Sequence, residues 1–76
     1  MNKLRQKDIW IYNYGNSDGM SAKWEVQPYD GSLGLVVYLS EYEAENKAAA
    51  KRIALSMWND GMSQKEAVDH EDERNQ

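Results

Sequence analysis

The chain has 76 residues, no cysteine and a net charge of −4, from 13 acidic against 9 basic side chains. A chain this short supports one domain with one modest core, and without thiols neither a disulfide nor a thiolate metal site can brace it. The negative balance weighs against nucleic acid as the main ligand, because phosphate binding depends on clustered Lys and Arg.

Residues 1–7 hold Lys3, Arg5 and Lys7 with no acid and read as a basic arm, either mobile or docked on an edge. No apolar stretch of signal-peptide length follows, and nothing approaches the roughly 18 apolar residues of a membrane span. A cytoplasmic protein without membrane association is therefore expected. Residues 8–14 are rich in β-branched and aromatic types and predict a first strand. Residues 15–19 are dense in turn formers and predict a hairpin loop; they lack the Lys-Ser/Thr ending of a phosphate loop. Over residues 21–27 Ala22, Trp24 and Val26 alternate with Lys23, Glu25 and Gln27, the pattern of a strand with one buried face. Pro28 ends that strand. Asp30-Gly31 suits a tight turn into a third strand over residues 33–39.

Ser40 and Glu43 then fit a capping box, with Leu39 and Ala44 placed as a hydrophobic staple. The spacing predicts one long helix from Ser40 to about residue 60, closed by Gly61 and supported by a Glu43–Lys47 pair. Ala50, Ile53, Ala54 and Met57 make its apolar face with Trp58 at the border. Ala44, Ala48 and Leu55 widen that face, either because alanines are tolerated anywhere on a helix or because Leu55 and Trp58 meet the terminal helix or a second subunit. Ser63 and Glu66 repeat the capping pattern and predict a short second helix to about His70. Residues 71–76 read as a disordered acidic tail. The whole is expected to be a single α+β domain: a three-stranded antiparallel meander packed on one long helix, with a short C-terminal helix.

If Ile9, Ile11, Trp24, Val26, Leu35 and Val37 face the helix, strand geometry sends Trp10, Tyr12, Tyr14, Val36 and Tyr38 to the other side. One helix covers one side of a sheet. The rings then form either a partner surface or a second small core under the terminal helix or the arm. The chemistry of enzymes is missing from the pattern. His70 is the sole histidine and sits in a polar segment beside no defined nucleophile, which reads as solvated. The carboxylates lack calcium-loop spacing. No enzyme activity, cofactor or metal is expected.

The Trp24-Glu25-Val26 strand and the segment Tyr38-Leu-Ser-Glu-Tyr-Glu-Ala-Glu45, in so small, acidic and cysteine-free a chain, resemble small phage-encoded accessory proteins. These include inhibitors of host RNA polymerase and of host defence systems. The likeness covers residues 21–58 in architecture and implies a protein that binds and blocks a larger host protein. With the outer sheet face taken as the partner surface, Trp10, Tyr12, Tyr14 and Tyr38 are the expected anchors. Trp58 at the border of the helix face is a further expected contact, and the acidic groups, Glu41 and Glu45 among them, steer the approach. The alternatives are a single-stranded nucleic-acid binder using the same rings and a homodimer that buries them against its own copy.

Overall fold

A computed structural model describes residues 3–15 and 22–74. Three strands, β1 (Ile9–Asn13), β2 (Trp24–Pro28) and β3 (Val37–Leu39), form an antiparallel sheet in that order. Two helices follow, α1 (Lys47–Asp60) and α2 (Gln64–Arg74). The chain is α+β. Ile11 pairs with Val26 and Val26 with Val37, so each strand's apolar residues share one face. Ile9, Trp24, Val26, Val37 and Leu39 are buried on that face against Ala49, Ala50, Ile53 and Ala54 of α1. Pro28 occupies the last position of β2, where its missing N–H leaves the rest of the ladder intact.

The helix prediction needs correction at its start. Ser40 and Glu43 do form the reciprocal capping bonds: the Ser40 N–H donates to Glu43 Oε1 (2.9 Å) and the Glu43 N–H to Ser40 Oγ (3.2 Å). They close a single turn, and the chain then leaves helical geometry until Lys47. Two competing bonds explain the break. The buried Trp24 indole N–H donates to the Ala44 carbonyl at 2.7 Å, taking up an acceptor that a continuous helix would use. Asn46, a cap type as good as Ser, then accepts from the Ala49 N–H at 2.8 Å and starts α1. Glu43 bonds Gln64 of α2 instead of joining Lys47 in a helical pair. Gly61 closes α1 as expected, with φ of 70° in the left-handed region.

Two further expectations change, and one left open is decided. The third strand shrinks to Val37–Leu39, because the Asp30 carboxylate captures the Ser32 N–H (3.0 Å) and folds Gly31–Leu33 into a 3₁₀ turn. Leu35 is accordingly half-buried rather than part of the core. The acidic segment is helical through Arg74: Ser63 and Glu66 cap α2, and Ala67 and Glu71 are buried against α1. The arm is docked as well. Leu4 exchanges two backbone bonds with the Asn59 side chain (3.0 and 2.9 Å), and Lys3 lies 3.6 Å from Asp60, at the end of α1 where the helix dipole favours a cation. The hairpin loop prediction falls mainly on residues 16–19, and the first residue of the predicted second strand is 21; these lie outside the described residues.

Candidate partner-binding surface

The period of two in β1 puts Trp10, Tyr12 and Tyr14 on the face away from α1. Their rings run in a line: Trp10 and Tyr12 stack with centroids 6.0 Å apart, and Tyr12 meets Tyr14 edge-on at 4.9 Å. The strand register then builds a transverse row. Tyr12 lies opposite Glu25, and Glu25 lies opposite Tyr38. A carboxylate therefore stands at the middle of the sheet with a tyrosine on either side. Tyr12 and Tyr38 are 49% and 51% exposed, so this face is open to solvent rather than a second core. Val36 is exposed beside them. At the far end a shallow notch lined by Trp10, Gln27, Pro28 and the exposed Tyr29 continues the surface.

Glu25 is held in place from its own strand and from the residue that follows β1. Its Oε1 accepts the Tyr14 hydroxyl, and its Oε2 accepts Gln27 Nε2 at 2.9 Å. The hydrogen bond to Glu25, the partial loss of water and the Glu25 charge together push the Tyr14 hydroxyl up to about 12. Tyr14 therefore stays a neutral donor through the neutral range. Both donors to Glu25 are uncharged, and among the described residues no cation pairs with it within 4 Å. Lys23, just before β2, lies over the Trp24 ring at 5.2 Å.

Four of the seven expected binding residues share this face: Trp10, Tyr12, Tyr14 and Tyr38. The other three lie elsewhere. Trp58 is on α1, partly buried against the core on the opposite side of the sheet. Glu41 and Glu45 are exposed on the connection between β3 and α1, outside the helix that was expected to carry them. The widening of the helix face toward Leu55 has its explanation in α2, which shares with α1 a groove lined by Arg52, Leu55, Ser56, His70, Glu71 and Arg74. Glu25 and Gln27 were invisible as site residues because alternation marks them only as polar. Their central position emerges once the register is known.

Among the described residues no group of three or more acidic or histidine side chains converges to hold a metal ion, and no helix is long and apolar enough to cross a membrane. Comparison with known proteins finds no matching family model, no similar curated protein and no similar solved structure.

Proposed function

We propose that this chain is a non-enzymatic protein-binding module that grips a larger partner through the open aromatic face of its sheet. The observation that carries this reading is the row Tyr12–Glu25–Tyr38, open to solvent and continuous with the rings of Trp10 and Tyr14. Aromatic side chains supply large contact area at low entropic cost and dominate binding energy at protein interfaces. The mechanism is occlusion: the partner's working surface is covered, as in the phage-type inhibitors that the sequence resembles, and that likeness is the sole support for a host-directed role. A central carboxylate disfavours the nucleic-acid alternative, since a phosphate backbone laid over these rings would meet Glu25.

The test is a double substitution, Tyr12→Ser with Tyr38→Ser. Both side chains are half exposed, so together they should cost about 1 kcal/mol or less of stability. Thermal melts followed by circular dichroism check that the fold is kept. Affinity capture from bacterial lysate, with the bound proteins identified by mass spectrometry, should then recover a partner with the native chain that the variant loses. Recovery of the same partner by both proteins refutes the reading. Loss of the fold in the variant refutes it too, by making the rings structural.

A further inference from the structure

We infer that Glu25 and the flanking rings of Tyr12 and Tyr38 form a seat for an arginine side chain presented by the partner protein. This rests on the protein-binding reading above and names the chemistry of its central contact. Three observations carry it. The carboxylate is half-buried in the middle of the face, so water screens it less than a surface acid. Its donors, the Tyr14 hydroxyl and the Gln27 amide, satisfy lone pairs and orient the group but leave its charge unbalanced. Tyrosines stand on both sides of it across the strands, where opposite side chains are about 5 Å apart.

An anion flanked across the strands by two tyrosines complements one kind of group, a flat cation. A guanidinium pairs with the carboxylate through parallel N–H bonds and stacks on tyrosine rings at the same time. A lysine ammonium provides the charge and the cation–π attraction but lacks the planar fork, and it holds its water more tightly. The acidic balance of the chain adds a long-range attraction for a basic partner.

The probe is a short blocked peptide of alternating glycine and arginine, titrated at low salt into the full ¹⁵N-labelled chain. Matched peptides carry lysine or the uncharged isostere citrulline. The arginine peptide should shift the Trp10 indole and the amides of Tyr12, Glu25 and Tyr38, the lysine peptide should do so more weakly, and citrulline should not. Glu25→Gln keeps an acceptor for Tyr14 and removes the charge, and it should weaken arginine binding roughly tenfold. Glu73→Gln, on the exposed side of α2, should leave binding unchanged. Shifts confined to the α2 carboxylates, or equal binding by Glu25→Gln, overturn the inference. So does a dimer in sedimentation that protects the face from the peptide, which would make a second copy the occupant. Failure of this seat is distinguishable from failure of the binding reading: if Glu25→Gln retains the partner that the double tyrosine variant loses, the arginine seat falls and the aromatic face stands.

Discussion

Arg52→Met tests what holds α2 in place. Arg52 Nε lies 2.5 and 3.0 Å from the two oxygens of Glu71, whose side chain is only 5% exposed, against 26% for Arg52. Removing the cation strands a carboxylate between the helices. Breaking a fully buried pair in this way costs about 3–5 kcal/mol; with the guanidinium a quarter exposed, partial screening lowers the expectation to about 2–3 kcal/mol. In a domain of this size that corresponds to a fall of roughly 10–20 °C in Tm. The opposite deletion, Glu71→Leu, should cost less, about 1 kcal/mol, because the freed guanidinium can turn to water. Combining Arg52→Met with Glu71→Leu removes both charges from the contact and should return stability to within about 1 kcal/mol of the native chain. Urea titrations of the four proteins give the coupling directly. An Arg52→Met variant that melts within about 4 °C of the native chain, or additive effects of the two substitutions, would refute the claim that this pair positions α2.

The placement of the helix start is tested by a pair of cap variants. Asn46→Ala should cost about 1 kcal/mol in a urea titration, as removal of a helix cap does, while Ser40→Ala, which caps only an isolated turn, should cost less. A spectrophotometric titration should show a tyrosinate step near pH 12 that Tyr14→Phe abolishes and Glu25→Gln moves downward. Because the folded hydroxyl holds its proton more tightly than the unfolded one, the stability it contributes is complete below about pH 10 and declines as the pH rises toward 12.

The sheet was legible because alternation is local. Lys23, Glu25 and Gln27 against Trp24 and Val26 define two faces before any partner strand is known, and the three strands and their order follow. The errors lie where a local signal competes with a distant one. Ser40 and Glu43 make the bonds their spacing promises, yet the Trp24 indole, 20 residues away in sequence, takes the Ala44 carbonyl and interrupts the helix. Glu71 read as tail, because nothing local announces its pairing with Arg52, 19 positions away. The same holds for the site. Four rings were visible from period two alone, whereas the carboxylate between Tyr12 and Tyr38 depends on register across two strand pairs.

The brevity of β3 carries a consequence for solubility. An outermost strand offers unpaired backbone groups to any passing chain, and a long, flat one invites stacking into aggregates. Here that margin is three residues long and is followed at once by the tight Ser40–Glu43 turn, too little for another molecule to zip onto. The protein can thus expose a broad face lined with rings while denying neighbours a backbone template at this rim.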